Sequence, residues 1–238
     1  LNAWILAWDY QPAALEALLQ YLPKVLPLEF AAEAAALQAF LAAGRNDWAR
    51  AIALSEEVLR AVPDNIALVG FVYASLGDIY WMMERAQQAV NCHRCSLECA
   101  CQCGDTVQLV DATHSLAQFE LLQGRLMAAE AVYDYGTDRL AHHGAHMTAF
   151  ARLFAFGRAS IHFERYELAA ARQNAEEGLA YAAHCGLRVY EPFIYAELAR
   201  IAAAQGDTAT VQRALLATQQ GAQRMIARNN GRMSPWIG

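Results

Sequence analysis

The sequence predicts an all-α protein, a solenoid of about six antiparallel helix pairs. Three observations predict this class: a repeat period near 40 residues, apolar side chains at helical spacing between the repeat marks, and a composition dominated by strong helix formers. The alternation of apolar and polar residues that is typical of strands is nearly absent. A single amphipathic helix pair cannot bury its apolar face, so we expect successive pairs to stack on one another.

Residues that are compatible with turns recur at a nearly constant interval. They lie 40, 40, 40 and 42 residues apart, and a small residue follows each after five positions. The turn positions are Gly44, Glu84, Gly124, Glu164 and Gly206, and the small residues are Ala49, Ala89, Ala129, Ala169 and Val211. A further column of small residues, on the first helix of each pair, keeps the same interval: Gly77, Ala117, Gly157 and Ala199. We expect these two columns to face each other where two helix axes cross closely.

We expect residues 1–238 to form a single domain. The recurring turn residues divide it into six helix pairs. The predicted pairs cover 1–22, 28–61, 65–103, 106–143, 147–185 and 188–229, with second helices at 12–22, 46–61, 85–103, 125–143, 166–185 and 208–229. Gly104, Gly144 and Gly186 suit left-handed helix ends, and Asp105 and Asp207 suit N-caps. The chain begins with Leu1 rather than Met, and both ends are apolar, so we expect a fragment of a longer polypeptide.

Charge and hydropathy exclude two classes of partner. The chain carries 18 basic and 24 acidic side chains, a net charge of -6, whereas phosphate-rich surfaces require clustered Lys and Arg. No run reaches the roughly 20 apolar residues that a membrane span needs. We therefore expect a cytoplasmic protein that contacts neither nucleic acid nor membrane directly.

Five cysteines lie close together in the predicted helix 85–103. Cys92, Cys95, Cys99 and Cys103 form a stripe roughly 16 Å long at 1.5 Å per residue, which is too long for one metal ion. An adjacent pair would supply half a site, but small apolar packing is the favoured interpretation. His142, His143 and His146 flank the helix-breaking Gly144 and are interpreted in the same way. No catalytic motif is present, so we expect no enzyme activity, no metal and no cofactor.

The repeat resembles the tetratricopeptide repeat. Leu76-Gly77, Leu116-Ala117 and Leu198-Ala199 match its first-helix element, Gly124 and Gly206 match its turn glycine, and the alanine column matches its second helix. Glu84 and Glu164 depart from the turn glycine, and the period exceeds the usual length of about 34. Second helices that end in AHCG, AHHG or CQCG resemble those of the large ATP-dependent LuxR-type (MalT-like) transcriptional regulators.

This resemblance implies a right-handed superhelix that acts as a sensor. The segment would bind a small-molecule or protein effector and couple it to self-association, between an ATPase and a helix-turn-helix domain that lie elsewhere in the polypeptide. A generic adaptor that binds a peptide or a partner protein is the alternative.

The resemblance also places the first helices on the concave wall. Counting from the Leu-Gly element selects ten candidate ligand-binding residues: Asp78, Trp81, Asp111, His114, Gln118, Phe154, Arg158, His162, Phe193 and Arg200. The polar members would hydrogen-bond a ligand, and Trp81, Phe154 and Phe193 would offer apolar faces. A groove whose polar side chains contact only water is the other interpretation.

Overall fold

A computed structural model describes residues 12–22, 26–144, 151–186 and 190–228. Within these ranges the chain forms eleven α-helices and no strand, which confirms the predicted class. The helices are α1 Pro12–Gln20, α2 Leu28–Ala43, α3 Trp48–Ala61, α4 Ile66–Met82, α5 Ala86–Cys103, α6 Thr106–Leu122, α7 Leu126–His142, α8 Phe154–Glu164, α9 Leu168–His184, α10 Glu191–Ala204 and α11 Thr208–Arg228. The predicted helix 1–8, residues 147–150 and 188–189, and the apolar tail after Arg228 lie outside the described residues. None of the described helices has the length and apolarity to cross a membrane.

The chain divides into two compact units. Among the described residues, unit 1 comprises 12–22, 26–108 and 224–228, and unit 2 comprises 109–144, 151–186 and 190–223. In each unit, turns of three or four residues join the two helices of a pair, such as α4 with α5 and α8 with α9, and the paired helices pack together. The core of unit 1 is made of small and branched apolar side chains, including Ala36, Ala51, Val58, Val72 and Ile79.

Helix ends follow the predicted cap chemistry. Gly104, Gly144 and Gly186 have positive φ angles of 74°, 127° and 71°, a region that favours glycine. Asp105 and Asp207 accept backbone N–H bonds from Gln108 and Thr210, each at 3.0 Å. These side chains satisfy N–H groups that would otherwise lack a partner in the first turn of α6 and α11.

The predicted turn column is wrong in two repeats. The left-handed turn residues are Asn46, Glu84, Gly124, Tyr166 and Gly206, with φ between 60° and 74°. Gly44 and Glu164 match the other repeats in sequence, but each lies two residues before the residue with positive φ. Five positions after each of the first four turn residues lies a fully buried alanine: Ala51, Ala89, Ala129 and Ala171. The fifth position, Val211, is half-buried. Ala49 and Ala169, which were predicted for this role, are exposed.

This two-residue shift makes a direct prediction for α9. Ala171→Leu is expected to lower the free energy of unfolding by about 1–3 kcal/mol, because a fully buried alanine has no space for three more carbons. Ala169→Leu, the matched control, is expected to change it by less than about 0.5 kcal/mol. Urea unfolding of the two variants measures both values. Equal losses of unfolding free energy at the two positions would contradict the assignment of Ala171, rather than Ala169, to the buried column.

Candidate functional site

Polar side chains of unit 2 converge on one buried tyrosine. Tyr133, on α7, is fully buried, and three of the predicted ligand-binding residues lie around it: His114 and Gln118 from α6 and Arg158 from α8. Asp134 on α7 completes the group by pairing with Arg158 at 2.9 Å. We call these five residues the Tyr133 cluster.

The tyrosine hydroxyl is held by two hydrogen bonds. The Gln118 Nε2 amide donates to the hydroxyl oxygen at 3.5 Å, and the hydroxyl lies 2.9 Å from His114 Nδ1. We assign the hydroxyl hydrogen to His114 Nδ1, so that the hydroxyl accepts from Gln118 and donates to the imidazole. In this tautomer Nε2 of the neutral imidazole is the N–H donor, and the Gln118 carbonyl oxygen remains an acceptor.

Aromatic rings and a glycine fix the position of these groups. The Tyr133 ring packs on Phe154 at 5.4 Å between ring centroids, and the His114 ring packs on Phe156 at 4.4 Å. Gly157 lies so close that a Cβ atom there would meet the Tyr133 hydroxyl oxygen at 1.8 Å. The close approach of α8 to α7 therefore depends on the absence of a side chain at position 157.

Burial keeps the central pair uncharged. It lowers the pKa of His114 to about 4, and it raises the pKa of Tyr133 well above its ordinary value. Near pH 7 the imidazole is neutral and the phenol is protonated. The cluster therefore offers fixed hydrogen-bonding groups, with the Arg158 guanidinium 5.7 Å from the centre of the Tyr133 ring as its positive charge.

The other basic candidates of unit 2 contact carboxylates. His162 Nδ1 lies 2.6 Å from Glu167, and Arg200 pairs with Glu164 at 3.1 Å while stacking over Phe163 at 4.0 Å. A ligand at any of the three positions would have to compete with a carboxylate, and the Tyr133 cluster differs because uncharged donors and acceptors surround its ion pair.

The remaining candidates are spread along the helices. In unit 1, Asp78 on α4 lies 3.4 Å from the buried His93 Nε2, and Trp81 is 41% exposed near the end of the same helix. In unit 2, Asp111 is half-buried on α6, and Phe193 is 42% exposed on α10.

Two features of the site differ from the sequence prediction. Phe154 was predicted to offer an apolar face to a ligand, but its side chain is fully buried and supports Tyr133 instead. Tyr133 was not predicted, although it lies one helical turn after Ala129, which places it in the same repeat column as Ser55, His93 and Ala175. All four are almost completely buried, so this column marks packing positions.

The cysteine stripe of α5 is buried only in part: Cys92, Cys95 and Cys99 are half-buried, whereas Cys103 is exposed. Burial raises the pKa of Cys92 to about 11, and it raises the pKa of Cys95 and Cys99 as well. Over the described ranges, no group of three or more His, Cys, Asp or Glu side chains is placed to hold a metal ion. His142 Nδ1 lies 2.6 Å from the Asp138 carbonyl oxygen, and His146 lies outside the described residues.

The helix pairs, their caps and their buried alanine column define a helical-repeat protein of the tetratricopeptide class. A family model described as the MalT-like TPR region matches residues 32–233. The chain therefore belongs to the MalT-like tetratricopeptide family, as the sequence resemblance predicted.

No curated protein matches the chain. Among solved structures, BtubC from P. vanneervenii is similar at 16% identity and a TM-score of 0.59, over 95% of this chain and 93% of that one, a likeness of fold alone.

Proposed function

We propose that this MalT-like region is the effector-sensing segment of a LuxR-type transcriptional regulator, and that the Tyr133 cluster is where a small polar effector binds. The observation that carries the proposal is the convergence of His114, Gln118 and Arg158, from two different first helices, on one buried hydroxyl. Family membership supports the regulatory role, and it implies an ATPase and a helix-turn-helix domain elsewhere in a cytoplasmic polypeptide.

The cluster suits recognition rather than simple packing. Tyr133 is buried, but Gln118 and His114 are only partly buried, and the Arg158 side chain keeps 27% of its surface accessible. A ligand would therefore meet an imidazole donor, an amide acceptor and a guanidinium over an aromatic base. Since the aromatic rings already hold these groups in place, little conformational entropy is lost when a ligand binds.

Loss of the guanidinium tests this assignment. We expect a thermal-shift screen of sugars and other polar metabolites to find a compound that raises the melting temperature. Arg158→Ala is expected to lower the affinity for that compound by about 10-fold or more, because a hydrogen bond to a charged group is lost. Titration calorimetry measures this change.

The matched control is Arg152→Ala, which removes an exposed arginine whose carboxylate partner, Glu177, lies 3.9 Å away. This variant should bind as the unmodified chain does. If both variants bind equally well, the cluster is not the effector site. If Arg158→Ala lowers the melting temperature but not the affinity, Arg158 has only a structural role.

An adaptor function is the second candidate, and one observation favours it. Met127 and Tyr166 are 73% and 75% exposed, and they lie at neighbouring turns that Arg165 connects through contacts with Met127 and Glu130. Exposed apolar side chains beside charged groups are typical of a protein contact. If a peptide but no metabolite raises the melting temperature, and Tyr166→Ser abolishes that effect, the chain is an adaptor.

A further inference from the structure

Cys95 differs in kind from the residues at the same repeat position on other second helices. Its equivalents on α3, α7 and α9, each eleven positions after the residue with positive φ, are exposed: Glu57, Tyr135 and Glu177. The repeat therefore does not require a small apolar side chain here, and yet Cys95 is a half-buried thiol. Core packing explains Cys92, which lies against the core of unit 1, but it does not explain Cys95.

A second thiol lies one helical turn further along the same face of α5. Cys99 follows Cys95 by four residues and is also half-buried. A Cβ atom at Gly70 would meet the Cys99 Cβ atom at 2.8 Å, so α4 passes directly beside this side chain. On α4, the pKa of Tyr73 is raised by burial and then by three thiols of the stripe, with Cys95 first among them. The two thiols therefore lie together where α5 packs on α4.

The spacing of this pair suits one bridging atom rather than a disulfide. Side chains four residues apart on a helix have Cβ atoms roughly 5–6 Å apart, whereas a disulfide requires roughly 3.5–4.5 Å. A soft atom between the two sulfurs, with bonds of ~2.3 Å as in zinc thiolates, spans the longer distance. Over the described ranges, no third His, Cys, Asp or Glu side chain is placed to complete a metal site. The bridging atom must therefore bring its remaining substituent with it.

We propose that Cys95 and Cys99 form a dithiol site for trivalent organoarsenicals. Trivalent arsenic makes three covalent bonds, and since carbon supplies one of them in an organoarsenical, two protein thiols complete the set. With phenylarsine oxide, both arsenic–oxygen bonds break and two arsenic–sulfur bonds form. The oxygen leaves as water with the two thiol protons, and no atom is oxidised or reduced.

The charge of the product favours this ligand class. The arsenic dithiolate is neutral, whereas a complex of a monovalent ion with two thiolates carries a net negative charge. Burial raises the pKa of both Cys95 and Cys99, which shows that their surroundings disfavour negative charge on sulfur. The site lies within unit 1 and shares no residue with the Tyr133 cluster, so this proposal does not depend on the effector site.

Two double variants that each remove two thiols of the stripe test the assignment. C92S/C103S keeps the proposed pair and should bind phenylarsine oxide as the unmodified chain does. C95S/C99S leaves two thiols eleven residues apart, which is roughly 16 Å on a helix and too far for one arsenic atom. We expect C95S/C99S to bind at least ~100-fold more weakly, because the second bond of a chelate adds a factor of this order.

Intact-mass spectrometry of the reduced, folded chain counts the phenylarsenic groups, and competition with dimercaptopropanol gives the affinity. We expect one group per chain and protection of two of the six thiols from a disulfide-exchange reagent. Circular dichroism shows whether each variant remains folded, and C95A/C99A, which lacks the serine hydroxyls, should lose binding to the same extent. An unmodified chain that takes up no phenylarsenic group overturns the proposal. Equal affinities of C95S/C99S and C92S/C103S, whether tight or weak, overturn it as well.

Discussion

Replacing Gly157 with leucine is expected to lower the free energy of unfolding by about 3 kcal/mol or more. A helical glycine is ordinarily less favourable than a residue with a side chain by up to about 1 kcal/mol, so a cost of this size reverses the normal trend. The reason is the contact with Tyr133: a Cβ atom at position 157 would lie 1.8 Å from the hydroxyl oxygen and 2.5 Å from Cζ. The tyrosine ring cannot withdraw, because Phe154 packs against it.

Urea unfolding followed by circular dichroism measures this cost. A double-mutant cycle identifies its source: Gly157→Ala and Tyr133→Leu should each destabilise the chain, and their combination should cost less than the sum, because the shorter side chain leaves space for the new Cβ. Gln173→Leu, at an exposed position on α9, serves as the control for a leucine on a helix surface. Additive costs in the cycle would show that Tyr133 is not the obstacle.

The repeat pattern was sufficient to predict the helices, because their periodicity is repeated five times in the sequence. It was less reliable at the turns, where the conformation depends on which residue adopts a positive φ. Asparagine adopts this conformation readily, whereas glutamate and tyrosine rarely do, and yet Glu84 and Tyr166 both have φ 60°. Gly44-Arg45 and Glu164-Arg165 resemble the turns of other repeats, so matching letters placed the turn two residues too early in two cases.

The candidate site was predicted in part for a similar reason. Counting along first helices selects one helix face, and His114, Gln118 and Arg158 do lie around one point. Positions counted along a first helix do not show how closely the second helix of the previous pair approaches that face. Tyr133 and the burial of Phe154 depend on this approach, which the absence of a side chain at Gly157 allows.

Stability is expected to fall between pH 7 and pH 4, and His114 is expected to account for about 2–3 kcal/mol of the loss. Burial lowers the pKa of this imidazole from 6.5 in the unfolded chain to about 4 in the folded chain. As the pH falls below 6.5, the unfolded chain therefore takes up a proton that the folded chain still excludes. The equilibrium shifts toward unfolding until the pH reaches the folded pKa, below which the loss from this group is complete.

The variant His114→Asn isolates this contribution. An asparagine amide can still accept the hydrogen bond from the Tyr133 hydroxyl, but it does not titrate. Carboxylates such as Asp207, whose pKa the bonds from Thr210 and Arg172 lower, also lose stabilising contacts in acid and contribute equally in both proteins. Urea unfolding at pH 7, 5.5 and 4.5 should therefore give a shallower pH dependence for the variant. Parallel curves for the two proteins would mean that the folded chain accommodates a charged His114, and the uncharged cluster on which effector recognition was argued would have to be abandoned.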